Sequence, residues 1–177
     1  MKRLPTRLDG PVLIEPTVHG DERGFFHESF RGDALTRLGV HAVFVQDNHS
    51  RSARGVLRGM HFQIDGLQKL VRCARGAIYD VVIDVREGSA TFGQWEGFEL
   101  DDRNLHQVFV PAGFAHGFLT LSEVADVLYK QDGYWAPELE RAVHHADPQV
   151  GIDWPHEVEI ILSPKDAAAP PLADLVR

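Results

Sequence analysis

The chain has a single cysteine, Cys73, so it cannot close an internal disulfide, and no CxxC or zinc-finger spacing exists. It lacks a surplus of positive charge: 18 Lys and Arg against 26 Asp and Glu leave a formal charge of −8. That balance argues against nucleic acid or an anionic membrane as partner. Long apolar runs are absent too. The first residues, Met1-Lys2-Arg3-Leu4-Pro5, have none of the apolar character of a signal peptide, and no segment approaches membrane-spanning length. These absences point to a cytoplasmic protein. With 177 residues, 44% of them hydrophobic, and no repeat, low-complexity tract or linker, one domain over residues 1–177 with a sizeable core is expected.

Strand patterns dominate what is there. They cover Val12 to Glu15, Gly24 to Phe30, Ala42 to Asp47, Val56 to Gln63, Lys69 to Ala74 and Ala77 to Arg86. Further ones follow at Gln94 to Leu100, His106 to Val110, Phe114 to Leu121 and Val124 to Gln131. Turn residues recur between them, as in Asp65-Gly66, Arg75-Gly76 and Pro111-Ala112-Gly113. Many short strands at this spacing predict an all-β sandwich or barrel. Short helices are predicted at Asp33 to Gly39, with Asp33 as N-cap, and at Leu172 to Val176.

One stretch departs from a generic core strand. Gly55 to Gln63, continuing to Lys69-Leu70-Val71-Arg72, places one imidazole, two guanidinium groups and an amine among apolar residues. Side chains two apart share a face of a strand, so His61 and Arg58 should point opposite ways. They can line one pocket only if the chain bends between them, and Gly59 is the residue that permits it. In Ala77 to Arg86, Tyr79, Val81, Ile83 and Val85 form one face; Ile78, Asp80, Val82, Asp84 and Arg86 form the other. Its two carboxylates are either solvated on an outer face or paired on an inner one. His116 sits on a face with Phe114, Phe118 and Thr120, suited to a satisfied core histidine or a desolvated functional one.

Nine motifs follow in order: Asp21-Glu22-Arg23-Gly24-Phe25-Phe26, Gln46-Asp47-Asn48-His49-Ser50, Val56 to Gln63, Lys69 to Arg72, Asp80 to Arg86, Pro111 to Phe118, Leu128-Tyr129-Lys130, Gly151 to Pro155 and Leu162 to Asp166. Together they resemble those of the dTDP-4-dehydrorhamnose 3,5-epimerase family. The resemblance runs from Val12 to about Leu172. It implies a cupin-type jelly roll (double-stranded β-helix) with short flanking helices, its tail segment 163–177 packing near the site. It implies His61 as base with Asp166 as its carboxylate partner, Tyr129 as acid on the opposite face of the sugar, and Lys69 and Arg58 beside the ketone oxygen. His116 would be a further pocket residue oriented by Asp80, and Lys165 would join the substrate contacts. Arg23, Phe26, Glu28, Gln46 and Asn48 would hold the nucleotide, with Arg23 and its neighbours reaching across a homodimer; Arg72 would complete a basic funnel with Arg23, Arg58 and Lys69.

The residue types fit the chemistry. Epimerisation beside a ketone needs a base neutral near physiological pH, positive charge for the enolate oxygen, and a weak acid on the other face. The implied substrate is a dTDP-linked keto-deoxysugar, with no cofactor and no metal. His61 is followed by Phe62-Gln63 and His116 by Gly117-Phe118, unlike the paired histidines of metal cupins; His144 and His145 are adjacent and in a strand would point apart. Two departures from the family pattern stand out: the loop from His61 to Lys69 is about two residues shorter than usual, and Tyr134-Trp135 replaces a tyrosine pair. Epimerisation of one carbon only, a non-catalytic nucleotide-sugar-binding cupin and a metal-dependent enzyme are the alternatives.

Overall fold

A computed structural model describes residues 1–175; Val176, the predicted end of the last helix, lies outside them. In chain order the strands are β1 (Lys2–Leu4), β2 (Val12–Glu15), β3 (Val18–Asp21), β4 (Gly24–His27), β5 (Gln46–Ala53), β6 (Leu57–Gln63) and β7 (Lys69–Arg75). They continue with β8 (Ala77–Asp84), β9 (Trp95–Asp101), β10 (Gln107–Val110), β11 (Phe114–Thr120), β12 (Val124–Gln131) and β13 (Glu140–Ala142). Two short helices, α1 (Gly32–Arg37) and α2 (Pro164–Ala167), flank them.

Strands β5 to β12 pair first with last, antiparallel: β5 with β12, β6 with β11, β7 with β10, β8 with β9. The pairs alternate between a six-stranded sheet (β1-β2-β10-β7-β12-β5) and a five-stranded one (β13-β6-β11-β8-β9). This nesting makes the fold an all-β, cupin-type jelly roll. β3 and β4 form a separate hairpin.

Apolar residues fill three layers. Between the sheets lie Val71, Cys73, Ile78, Val82, Phe98, Phe114, Phe118 and Val127. Outside the five-stranded sheet, Val81, Ile83, Ala115 and Leu119 are covered by Trp154, Val158 and Leu172 of the C-terminal segment. Outside the six-stranded sheet, Ile14, Leu70 and Phe109 are covered by Leu35 of α1 and by Val40. β8 is therefore buried on both sides. Its apolar face meets the tail, and Asp80 and Asp84, both fully buried, point toward the inner layer. Solvation is excluded, so each carboxylate must be paired.

Several elements differ from expectation: the strand predicted at Gly24 to Phe30 stops at His27, and β1, β3 and β13 are unpredicted. The strand expected at Ala42 to Asp47 begins only at Gln46 and runs through polar residues to Ala53. Val43 and Val45 are exposed, while Ala42 and Phe44 pack on the outer layer without strand pairing. The first helix starts at Gly32 rather than Asp33, whose carboxylate instead pairs with Arg31 and Arg37. At the tail, a single 3-10 turn occupies Leu172–Asp174.

Candidate active site

The β6–β11 register resolves the problem posed by Arg58 and His61. His116 lies opposite His61, yet Phe118 lies opposite Arg58, so β6 advances three residues while β11 advances two. The extra residue is a bulge. Gly59 sits there with φ of +139°, and a Cβ on it would lie 2.5 Å from the Cα of Gly117. No other residue fits. The bulge turns Arg58 and His61 toward one cavity of about 500 Å³, which Lys69, His116, Tyr129 and Asp166 also line. An adjoining cavity of about 330 Å³ shares His61, Lys69 and Tyr129 and extends to Gln46, Asn48, Trp135 and Glu140.

His61 is held from the tail. Nε2 of its ring lies 2.6 Å from Oδ1 of Asp166, a residue 105 positions downstream. An ionised carboxylate only accepts, so Nε2 carries the shared proton and Nδ1 keeps a free lone pair. The nearest carboxylate to Nδ1 is Glu140, at 3.9 Å, and Glu140 also pairs with Lys165. Burial pushes the His61 pKa below its ordinary 6.5, against the pull of Asp166 and Glu140; Lys69 adds to the lowering. At neutral pH the ring is therefore an uncharged base.

A second histidine–carboxylate pair stands beside the first. Nε2 of His116 lies 2.9 Å from Oδ2 of Asp80, both residues buried. The other oxygen of Asp80 has no protein partner among the described residues. The other buried acid of β8, Asp84, is satisfied by Arg86, Ser89 and Thr91, and these bonds hold its pKa well below the usual range.

Lys69 enters from the six-stranded sheet. Burial brings its pKa down to about 8, against the pull of Glu140 and Asp80. Tyr129 comes from β12 of the same sheet and so faces His61 across the cavity. Burial raises its pKa, while Arg58 opposes the rise; the phenol stays protonated at neutral pH. Arg58 itself is steadied by Ser52, whose Oγ accepts from Nε at 3.0 Å. A free base, an amine cation and a phenol thus converge on one space. Among the described residues, no three or more His, Cys, Asp or Glu side chains cluster as a bound metal would require.

A family model described as dTDP-4-dehydrorhamnose 3,5-epimerase matches residues 5–174. The chain belongs to this family. It is 53% identical over 176 residues to the dTDP-4-dehydrorhamnose 3,5-epimerase of Pseudomonas aeruginosa, covering 98% of this chain and 97% of that one. Among solved structures, it superposes with a TM-score of 0.95 and 48% identity on the dTDP-6-deoxy-D-glucose-3,5-epimerase of Legionella pneumophila in complex with dTDP-4-keto-L-rhamnose, over 99% of this chain and 94% of that one. A 3'-monoepimerase from Streptomyces bikiniensis in complex with dTDP-quinovose matches at TM-score 0.90 and 40% identity, over 98% and 88% of the two chains. The chain is thus an enzyme of the epimerase family.

Several other expected site residues of this epimerase-family chain lie outside the His61 cavity. Arg72, three residues after Lys69 on a stretch of β7 that pairs without a register shift, faces the opposite side of the strand and lines a neighbouring cavity with Phe30, His49 and Lys130. It does not join the funnel with Lys69 and Arg58. Arg23 pairs with Asp21 on the β3–β4 hairpin, and Phe26 is 67% exposed there. Glu28 pairs with Arg31 at 3.4 Å, and none of these three lines the His61 cavity. Lys165 does line it, beside Asp166. Gln46 and Asn48 are tied to Gln131 by hydrogen bonds of 2.9 and 3.0 Å. The short loop before Lys69 still delivers its amine to the cavity. His144 and His145 lie outside any strand, and their rings stand 4.6 Å apart instead of pointing away from each other.

Glu140, Ser50 and Ser163 are site residues that the sequence reading did not single out. Glu140 opens a three-residue polar strand without alternation. Ser50 lines the cavity with a buried hydroxyl that has no protein partner among the described residues. Its signal was positional: on β5, Gln46, Asn48, Ser50 and Ser52 share one face.

Proposed function

We propose that this chain epimerises C5 and C3 of dTDP-4-dehydro-6-deoxy-D-glucose to give dTDP-4-dehydro-L-rhamnose. The observation that carries the reading is a neutral imidazole on one sheet facing a phenol on the other, with the Lys69 amine lining the same cavity. Nδ1 of His61 takes the proton from the carbon beside the ketone. The electron pair moves to the carbonyl oxygen, and the enolate is stabilised by Lys69 and Arg58. Asp166 stabilises the imidazolium formed. Tyr129 then protonates the carbon from the far side, inverting it. This needs no group beyond the chain's own side chains.

The chain works as one domain in a homodimer. The β3–β4 hairpin carries Arg23, Phe25 and Phe26 outward, away from its own cavity, which supports its reaching a partner's nucleotide. Among the described residues, no helix is long and apolar enough to cross a membrane. An unpaired thiol and a nucleotide-sugar substrate suit the cytoplasm.

Turnover in deuterated water tests the reaction. Label at both C3 and C5 of the product is expected; label at one carbon would assign the chain to single-carbon epimerases such as the Streptomyces bikiniensis relative. For the dimer, Arg23→Ala should weaken thymidine diphosphate binding about tenfold, the size of a charge-assisted contact. Monomers in sedimentation, or unchanged affinity, would remove the shared site.

A further inference from the structure

Asp166 meets His61 from a helix of only four residues, too short to be rigid on its own. Its orientation comes from Ser163, the N-cap of that helix. The backbone N–H of Asp166 donates to Ser163 Oγ at 3.1 Å, occupying one lone pair of the hydroxyl. Ser163 Oγ lies 2.8 Å from Oδ2 of Asp166. A carboxylate cannot donate, so the hydroxyl proton points to Oδ2. In the usual capping box the acid reaches back to the N-cap backbone. Here the serine hydroxyl takes one carboxylate oxygen, leaving Oδ1 for Nε2 of His61. The polarity runs one way, from hydroxyl to carboxylate and from imidazole to the same carboxylate.

We propose that Ser163 is a positioning residue for proton transfer at His61, aiming the Asp166 carboxylate and drawing charge from it through the bond to Oδ2. The inference rests on the reading of His61 as base. Losing that donor leaves more negative charge on Oδ1, so the imidazolium is favoured and His61 titrates at higher pH. The other groups facing the ring are Glu140 from β13, Lys69 from β7 and His116 from β11. Arg58, Tyr129 and Lys165 complete its charged and titratable surroundings, and His145 lies close enough to Asp166 to feel its charge. None of these is bonded to Asp166 Oδ2, so removing the serine hydroxyl isolates its effect.

The direct test follows the His61 imidazole by nitrogen NMR against pH in substrate-free wild type, Ser163→Ala, Ser163→Thr and Ser163→Gly. Ser163→Ala should raise the midpoint by about half a unit to one unit, and lower kcat roughly five- to tenfold with KM unchanged. Ser163→Thr, which keeps the hydroxyl, should restore the wild-type midpoint. Ser163→Gly caps the helix almost as well as serine, adds no charge and has no hydroxyl to donate to Oδ2, so its midpoint should rise as far as that of Ser163→Ala. A purely structural cap predicts the reverse, with Ser163→Gly matching wild type; that result, or an unmoved midpoint in Ser163→Ala, overturns the proposal. If Ser163→Ala unfolds, the threonine and glycine variants decide alone. The midpoint needs no substrate, so a wild type that failed to epimerise would remove the functional reading and leave this test intact.

Discussion

Two histidine–carboxylate pairs stand on neighbouring strands of one sheet, and they are built differently. His116 and Asp80 are brought together by the β8–β11 ladder, and both are buried. His61 keeps a partly exposed ring on the cavity side, and its carboxylate arrives on a separate segment. A buried histidine whose carboxylate sits on the neighbouring strand can hold a hydrogen bond in a fixed direction. A histidine that exchanges protons needs one nitrogen open to the reacting atom and the other held. The contrast favours His61 over His116 as the base of the proposed reaction, with the His116 pair shaping the pocket.

The sharpest way to break this contrast is His61→Asn. Epimerisation and solvent-deuterium uptake should fall by roughly 10²–10⁴-fold, the usual reach of general acid–base catalysis. Thymidine diphosphate affinity, read by calorimetry, should stay within about threefold, since the loss lies in the transition state. Retained turnover would shift the base to the other pair.

Asp166→Asn should cost somewhat less, about 10²-fold in kcat, with little change in melting temperature because the residue sits on the tail. Asp80→Asn should show the opposite balance. Removing a fully buried charge partner of His116 should lower stability by about 1–3 kcal/mol in urea unfolding and kcat by about tenfold. If the two variants behaved alike, the distinction between the pairs would collapse.

The smallest expected effect is in the pH profile of kcat/KM. The His61 pKa is lowered, so the ring stays neutral down to below 6.5, and the acid limb should fall below that value. The Lys69 cation is lost as pH rises through about 8, so the alkaline limb should lie near there. Lys69→Arg should move the alkaline limb upward, because a guanidinium does not titrate in that range. The same His61 shift has a sign for stability. Protonation is disfavoured in the folded state, so stability contributed by the neutral ring is lost as pH drops below about 6.5.

Much of this was legible in the chain. Strands β6 to β12 follow from their apolar patterns because each has at least one face in a core layer. β5 did not follow, since its inward face is cavity wall: Gln46, Asn48, Ser50 and Ser52 leave no hydrophobic alternation to detect. The preceding Ala42 to Val45 carried the strand-like pattern without the pairing. For the same reason β13 was invisible, being three residues with two charges. The need for a bend at Gly59 was readable from parity alone, whereas its bulge depends on β11. Parity also shows that Lys69 and Arg72 diverge, a deduction overridden by the expectation of a funnel. Solvated and paired readings of Asp80 and Asp84 could not be separated until the tail was seen to cover the other face of β8.

The span between His61 and Asp166 has a consequence for synthesis. While the polypeptide is still emerging from the ribosome, most of the jelly roll can be complete and the imidazole in place, yet its partner remains unmade or inside the exit tunnel. A product truncated between β13 and residue 166 would keep the strands of the roll but lack the carboxylate that orients the ring.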